Sequence, residues 1–185
     1  MHNRIPGRTE CLELIATHNM LPHIQEHSRM VCAVAVALAR LLNDKGFSFD
    51  LDEVEAAALL HDITKTRSLQ TGEDHARTGA ELLAGMGYHR IACIVAQHIN
   101  PDDATDTISI AELVSYADKR VLHDRMVTLH ERFDYLVQRY GRTESALARI
   151  REALQRTLGI EQKIMQALRL NRPEDLRILP AAASR

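Results

Sequence analysis

Cysteine is scarce in this sequence, which contains Cys11, Cys32 and Cys93 as its only three. The number is odd, the residues are far apart, and none belongs to a Cys-x-x-Cys pair. The sequence therefore excludes a disulfide framework and a structural zinc ribbon. Because apolar residues flank all three positions, we predict that they are inert thiols in the core.

Long apolar segments and a strong net charge are also absent. The longest apolar run, Met30 to Ala39, is about half of the roughly 20 residues that cross a bilayer, and the N-terminus lacks a signal-peptide core. The formal net charge of −2 leaves no basic field that would attract a nucleic-acid backbone. The sequence predicts a cytoplasmic protein that binds no membrane and, by default, no nucleic acid.

The chain has a composition typical of one folded domain. It has 185 residues, of which 45% are hydrophobic and 26% charged, and single domains run to roughly 100 to 200 residues. Internal repeats and the alternation typical of strands are lacking. We predict a single domain over residues 1–185, folded as an all-α bundle of about seven or eight helices.

Apolar periodicity and the positions of Gly, Pro, Asn and Asp predict the individual helices. A loop is predicted from Thr64 to Gly72, and loose chain from Asn171 onwards. The predicted helices cover Thr9 to His18, Pro22 to Leu42, Asp50 or Asp52 to His61, Asp74 to Leu83, His89 to Ile99, Thr107 or Ser109 to beyond Asp118, Leu129 to Tyr140, and Glu144 to Leu170.

Histidine is abundant, with ten residues, and His61 is followed directly by Asp62 at the end of an apolar helix. Burying an aspartate there is costly unless a cation or strong donors meet it. Adjacent residues on a helix point about 100 degrees apart, so both side chains reach one ion only at a frayed helix end. A chance pair, with the aspartate orienting the histidine, is the alternative.

His27 and Asp118 each interrupt an apolar stretch in another predicted helix. Two imidazoles and two carboxylates form a mixed nitrogen and oxygen set that suits manganese, iron, zinc, cobalt or, less well, magnesium. We predict that these side chains meet His61 and Asp62 in the bundle core.

The order of His27, His61, Asp62 and Asp118 resembles the HD superfamily of metal-dependent phosphohydrolases. The segments HDITK and YADKR are similar to the sequence motifs of this family, and the resemblance covers about Leu21 to Leu122. It implies an HD core over residues 21–122, a C-terminal helical extension over 125–170, and one metal ion bound by these four residues.

His75 and His98 fall where the binuclear branch of that family has further ligands. The resemblance is closest to the bacterial enzymes that cleave dinucleoside tetraphosphates, and it implies a second ion held by both histidines and Asp62. Thr64 replaces a glycine common in the family, and a GYP tripeptide is absent, which disfavours a cyclic dinucleotide as the substrate. The alternative without a metal is that His75 is a polar surface residue at a helix N-terminus, and that His98 interacts favourably with the helix dipole at a helix C-terminus.

The resemblance implies hydrolysis of a phosphoester or phosphoanhydride of a nucleotide-like small molecule by metal-activated hydroxide, with one or two divalent ions. Asp62 and Lys65 are the candidate catalytic residues, since Lys65 lies three residues after Asp62 and can reach a phosphoryl oxygen. The candidate residues for binding the phosphates of the substrate are Lys65, Arg67, Arg77 and Lys119.

Two other functions remain open: a sensory module that binds metal and nucleotide without cleavage, and a di-iron oxygenase on the same scaffold. The remaining histidines are assigned to the surface or the core, although His23 lies one turn before His27 and could reach the rim of the site. The helices from Leu129 onwards carry both charges and are interpreted as a solvated face or a homodimer contact without chemistry.

Overall fold

A computed structural model describes residues 4–102 and 107–176. The chain folds as a bundle of helices, which confirms the predicted all-α class. The helices are α1 (Arg8–Thr17), α2 (Pro22–Asn43), α3 (Leu51–Leu60), α4 (Lys65–Thr71), α5 (His75–Gly85), α6 (His89–Gln97), α7 (Ile110–Lys119), α8 (Leu129–Tyr140) and α9 (Glu144–Leu168), followed by a 3-10 turn, Pro173–Asp175.

Helix α2 is the centre of the bundle and packs against α3, α7 and α9, while α5 pairs with α6. The predicted apolar stripe of α2 is fully buried, including Val31, Val34 and Leu38. Helix α3 is buried along almost its whole length, as its run of alanine and leucine predicts. This packing leaves the C-terminal end of α3 inside the protein rather than at its surface.

Side-chain caps set the helix starts closest to the site. Asp50 and Asp74 each accept hydrogen bonds from two backbone amides at the starts of α3 and α5, as is typical of an aspartate N-cap. Ser109 forms a capping box with Glu112, so α7 starts after Ser109 rather than after Thr107. The predicted starts at Asp50, Asp74 and Ser109 are confirmed.

One local prediction is wrong, and one short element was not predicted. The predicted loop from Thr64 to Gly72 contains helix α4, which ends at Gly72 in the left-handed conformation that favours glycine. An antiparallel hairpin with two residues in each strand follows α7. Its strands are β1 (Val121–Leu122) and β2 (Arg125–Met126). Both elements are too short to produce a periodic apolar pattern.

Helices α8 and α9 pack on the bundle, and buried polar contacts join α9 to α7. The Tyr116 hydroxyl donates to Glu161 at 2.7 Å, and Arg120 donates to the Tyr116 oxygen at 2.6 Å and to the Val127 carbonyl at 2.8 Å. Glu161 and Arg120 are both buried. The end of α7 is therefore held by residues from the C-terminal third of the chain.

The segments after Pro101 and after Asn171 are described only in part. Residues 103–106 and 177–185 lie outside the described residues, so most of the predicted loose tail does as well. Leu176 is buried against the core. Among the described residues, every helix is too short or too polar to cross a lipid bilayer.

The three cysteines differ in exposure, which corrects the prediction that all are buried. Cys11 and Cys32 are buried, whereas Cys93 lies on the exposed side of α6. Burial raises the pKa of the Cys11 thiol to about 12 and that of Cys32 to about 11. Since the thiolate is the reactive form, these two thiols are unreactive for two reasons: solvent and reagents do not reach them, and they stay protonated at neutral pH.

We expect one thiol per folded chain to react with a disulfide reagent such as Ellman's reagent, and three after unfolding in guanidinium. Cys93→Ser should abolish the fast reaction without changing the slow one. Fast reaction of two or more thiols in the folded protein would contradict the burial of Cys11 and Cys32.

Candidate metal centre

Six side chains from different helices meet at one end of the bundle. Five of them lie at or near helix ends: His61 and Asp62 directly after α3, His75 at the start of α5, His98 directly after α6, and Asp118 near the end of α7, whereas His27 lies in the first half of α2. The structure brings together all six residues that the sequence suggested as metal ligands.

His27, His61 and Asp118 form the first group, with one potential ligand atom from each lying within 4.8 Å of the others. Asp118 Oδ1 is 2.9 Å from His27 Nε2 and 4.0 Å from His61 Nε2. His61 is almost completely buried. The group therefore presents two ring nitrogens and one carboxylate oxygen to a single point inside the protein.

Asp62, His75 and His98 form the second group within the same distance limit. Asp62 Oδ1 is 3.0 Å from His75 Nε2 and 3.7 Å from His98 Nε2. Its other oxygen, Oδ2, is 3.6 Å from His61 Nε2. Asp62 thus directs one oxygen to each group, which is the arrangement of a carboxylate that bridges two ions.

Backbone carbonyls fix the ring orientation of three of these histidines. The Nδ1 atoms of His27, His61 and His98 donate to the carbonyl oxygens of His123, Ala58 and Val95 at 3.0, 2.8 and 2.7 Å. A carbonyl oxygen only accepts, so Nδ1 carries the proton in all three rings. The neutral rings of His61 and His98 direct an Nε2 lone pair at the centre. For His27, burial opposes protonation, but the hydrogen bond to Asp118 and the charge of that carboxylate outweigh it and raise the pKa. Metal-ligating histidines are oriented in this way.

His61 Nε2 is the strongest sign that these residues fit a cation. It is a buried nitrogen without a hydrogen-bond partner among the described residues, and Asp62 and Asp118 are its nearest carboxylates. A lone pair facing two carboxylates is unfavourable unless positive charge lies between them. A divalent ion bound by nitrogen and oxygen ligands satisfies all three groups.

The protonation states of the centre also suit metal binding. Burial lowers the pKa of His61, and burial together with the nearby His61 lowers the pKa of His98 to about 3, so both rings are neutral at pH 7. Burial opposes ionisation of Asp118, but the charge of Lys119 and the hydrogen bond from His27 hold its pKa well below the usual range. For Asp62, burial likewise opposes ionisation, but the adjacent His61 ring, the hydrogen bond from His75 and the Lys65 ammonium outweigh it and hold the pKa well below the usual range.

A cavity of about 600 Å³ opens onto both groups, a size typical of pockets for small molecules. Lys65 and Lys119 line this cavity. Lys65 Nζ is 3.2 Å from His75 Nε2, and Lys119 Nζ donates to Asp118 Oδ2 at 2.6 Å. Two ammonium groups therefore lie beside the carboxylates, where an anionic substrate would approach.

Arg67 and Arg77 do not line the cavity, which corrects their assignment to substrate phosphates. Arg67 pairs with Glu73 at 2.8 Å and Arg77 with Glu81 at 2.7 Å, both on the surface. Each arginine follows a site residue, Lys65 or His75, by two positions. Residues two apart on a helix point about 200 degrees apart, so the arginine faces away when the site residue faces the cavity.

Several cavity residues were missed by the sequence interpretation. His123, which was assigned to the surface or core, contributes its carbonyl to His27 and also lines the cavity. His23 was not missed, since its position one turn before His27 suggested the rim, and it lines the cavity. Helix α8, interpreted as free of chemistry, supplies one wall with Arg132, Tyr135, Leu136, Arg139 and Tyr140. The one local signal was the recurrence of these five residues at helical spacing on a single face of α8.

A protein-family model for the HD domain matches residues 24–124. The chain belongs to the HD-domain family. The match contains all six residues of the centre, confirms the resemblance carried by HDITK and YADKR, and ends in the turn of the β1–β2 hairpin. Helices α8 and α9 therefore lie outside the matched segment.

Similar proteins support the same fold. A crystal structure of a predicted HD superfamily hydrolase from an uncultured Thermotogales bacterium superposes with a TM-score of 0.51 over 89% of this chain and 95% of that chain, at 22% identity. An uncharacterized protein of Methanocaldococcus jannaschii is 26% identical over 143 residues, which cover 69% of this chain and 83% of the relative.

A third relative is the tRNA (cytidine(56)-2'-O)-methyltransferase of Thermoplasma volcanium, 29% identical over 145 residues. The alignment covers 70% of this chain and 41% of that enzyme. The name of that enzyme describes a longer protein, of which this HD-domain chain matches less than half.

We expect divalent cations to stabilise the folded protein, because the centre exists only in the native state. A metal at about 100 times its Kd adds about 2.7 kcal/mol of stability, which corresponds to a rise in Tm of about 5 to 10 °C for a protein of this size. Thermal unfolding with manganese, cobalt or zinc, each added alone, measures the rise. His61→Ala should abolish it.

His130→Ala is the matched control, since the His130 side chain is 89% exposed on α8. This variant should keep the full rise in Tm. An equal rise in the His61→Ala protein would show that the ions bind elsewhere on the chain.

Proposed function

We propose that this HD-domain protein is a metal-dependent phosphohydrolase that cleaves a phosphoester or phosphoanhydride bond of a nucleotide-like small molecule. The observation that carries the proposal is the orientation of three histidines by backbone carbonyls, with Nε2 of each directed at the carboxylates of Asp62 and Asp118. These ligand atoms suit divalent cations, and the cavity beside them, lined by Lys65 and Lys119, suits an anionic substrate.

His27, His61 and Asp118 would hold one divalent ion and Asp62, His75 and His98 a second. A divalent ion bound by these residues would lower the pKa of a bound water to about 7 and stabilise negative charge on phosphoryl oxygens. The mixed nitrogen and oxygen donors favour manganese, iron, cobalt or zinc over magnesium.

The residues of the chain have distinct tasks in this reaction. Asp62 sets the spacing of the two groups through its two oxygens. The Lys65 ammonium lies between the second group and the cavity, where it can meet charge that develops on the phosphoryl oxygens. Lys119 is held at the first group by Asp118 and lines the cavity, so its ammonium would be a second donor to the phosphate.

Thr64 helps to hold the second group in place. Its hydroxyl donates to the carbonyl oxygen of His75 at 2.9 Å and also contacts the Thr78 hydroxyl at 2.9 Å. These bonds tie the turn that carries Asp62 to the first turn of α5. These hydrogen bonds hold His75 in position relative to Asp62.

A substrate panel tests the proposal. Protein loaded with manganese, iron(II), cobalt or magnesium is incubated with dinucleoside tetraphosphates, nucleoside mono-, di- and triphosphates, and p-nitrophenyl phosphate. We expect release of phosphate or mononucleotide that requires the metal, with a dinucleoside polyphosphate as the preferred substrate. Absence of any product at full metal loading would refute the hydrolase assignment.

A further inference from the structure

Helix α8 lies outside the segment that matches the HD-domain family, yet it forms one wall of the cavity. The other walls come from the helices that carry the metal-binding residues, from α4 and from the β1–β2 hairpin. Whatever α8 contributes is therefore a property of this chain rather than of the matched segment. Its five cavity-lining side chains include two arginines and two tyrosines, namely Arg132, Tyr135, Leu136, Arg139 and Tyr140.

Arg132 is the most constrained cation of this wall. Its Nε is buried and has no hydrogen-bond partner among the described residues. Its guanidinium carbon lies 6.0 Å from the centre of the Tyr135 ring. A buried N–H without an acceptor costs free energy, so the site is incomplete until an acceptor enters the cavity.

The wall is joined to the metal centre through His123. The His123 carbonyl accepts the hydrogen bond from His27, and the His123 ring packs edge-on against Tyr135 with 5.7 Å between centroids. His123 has a φ of 57°, a left-handed conformation in the tight turn of the hairpin. His123 therefore contacts both the first metal-binding group, through His27, and the α8 wall, through Tyr135.

Positive charge exceeds negative charge along the cavity, even before any metal is counted. The carboxylates are Asp62 and Asp118, and the cations are Lys65, Lys119, Arg132 and Arg139. Lys119 is paired with Asp118, whereas neither Arg132 nor Arg139 forms a salt bridge within residues 4–102 and 107–176, and the charge of Arg132 acts on Asp118 from beyond salt-bridge distance. One phosphate at the metal centre would leave both arginines without an anion.

We propose that Arg132 binds a second phosphate group of the substrate, adjacent to the one that is cleaved, and thereby makes the enzyme selective for phosphoanhydride chains over simple monoesters. The inference rests on the proposed phosphohydrolase function. A planar guanidinium matches two oxygens of a phosphate, which an ammonium cannot do. Tyr135, under the guanidinium, holds it toward the cavity.

Arg139 and Tyr140 extend the same wall away from the metal centre. Arg139 lies 5.9 Å from the centre of the Tyr140 ring, and Tyr140 is 58% exposed at the mouth of the cavity. An aromatic ring beside a cation suits a base that follows a phosphate chain, since every base has a face that stacks. The wall as a whole therefore fits a nucleoside polyphosphate.

The test compares two substrates in two variants. Arg132→Gln should lower kcat/KM for a nucleoside triphosphate or dinucleoside tetraphosphate by about 10- to 150-fold, the range for losing a hydrogen bond to a charged group. For p-nitrophenyl phosphate, which has one phosphate, kcat/KM should change by less than about threefold. Arg132→Lys should recover part of the loss, because it keeps the charge without the planar fork.

Arg149→Gln on the exposed side of α9 is the matched control and should match the wild type with both substrates. Equal losses with both substrates in Arg132→Gln would overturn the inference and leave the hydrolase assignment intact. If Arg132→Gln fails to fold, Arg132→Lys supports the inference when its loss is confined to the polyphosphate, and overturns it otherwise.

Binding separates failure of the inference from failure of the function. Calorimetric titration with a β,γ-imido nucleoside triphosphate should give a Kd about 10- to 150-fold weaker in Arg132→Gln than in the wild type. That result without turnover of any substrate would refute the hydrolase and retain the phosphate site. Equal affinity in both proteins, or no binding to either, would overturn the phosphate site.

Discussion

Asp62→Asn should reduce hydrolysis by about 10³-fold or more, the scale of losing a group that acts directly at the reacting atoms. The amide keeps the shape of the carboxylate but removes the negative charge that faces His61, His75 and His98. Both groups share this residue, so we expect the metal content to fall from two ions per chain to less than one. Elemental analysis and kcat on the best substrate measure the two effects.

Asp44→Asn is the matched control, because Asp44 is exposed at the end of α2 and remote from the centre. It should retain two ions and the full kcat. Wild-type activity and metal content in the Asp62→Asn protein would contradict the inference that both metal-binding groups share the Asp62 carboxylate.

The stability of the bundle should depend strongly on Glu161, which lies in the C-terminal helix α9. Glu161→Ala leaves the Arg120 guanidinium and the Tyr116 hydroxyl buried without their carboxylate. Breaking a buried charge pair by removing one partner costs about 3 to 5 kcal/mol. Urea unfolding, followed by circular dichroism, should show this loss in a single transition.

Glu152→Ala on the same helix is the control. Glu152 pairs with Arg156 on the surface, where its side chain is 68% exposed, and such pairs contribute about 0 to 1 kcal/mol. A separate early transition of Glu161→Ala, with the remaining helices still folded, would contradict the prediction that residues 1–185 form one domain.

Local sequence patterns were sufficient for most of the helices. The aspartates at 50 and 74 and the serine at 109 are N-caps because a side-chain oxygen can accept from the first free amides, a bond within one turn of chain. The hairpin and helix α4 could not be predicted in this way. Their seven or fewer residues per element are stabilised by neighbours distant in sequence, and local propensity carries little information over such lengths.

The candidate ligands show the same division. His61 and Asp62 were identified because two metal-binding side chains follow an apolar helix, and His27 and Asp118 because each interrupts an apolar stretch. His75 and His98 were identified only through the resemblance to the HD family. Which nitrogen of each ring faces the centre was set by the carbonyls of Ala58, Val95 and His123. For His27 that carbonyl is 96 residues away, beyond the reach of any sequence pattern.

The sequence by itself determined the all-α class and the main helices, since these depend on residue type and on spacing within a few turns. It also determined the family and the six candidate ligands, since these depend on motif residues and their order along the chain. Only the tertiary structure decided that Arg67 and Arg77 face solvent and that α8 closes the cavity with Arg132. Those outcomes depend on the direction in which each helix presents its side chains once packed. That direction is fixed by contacts between segments far apart in the chain.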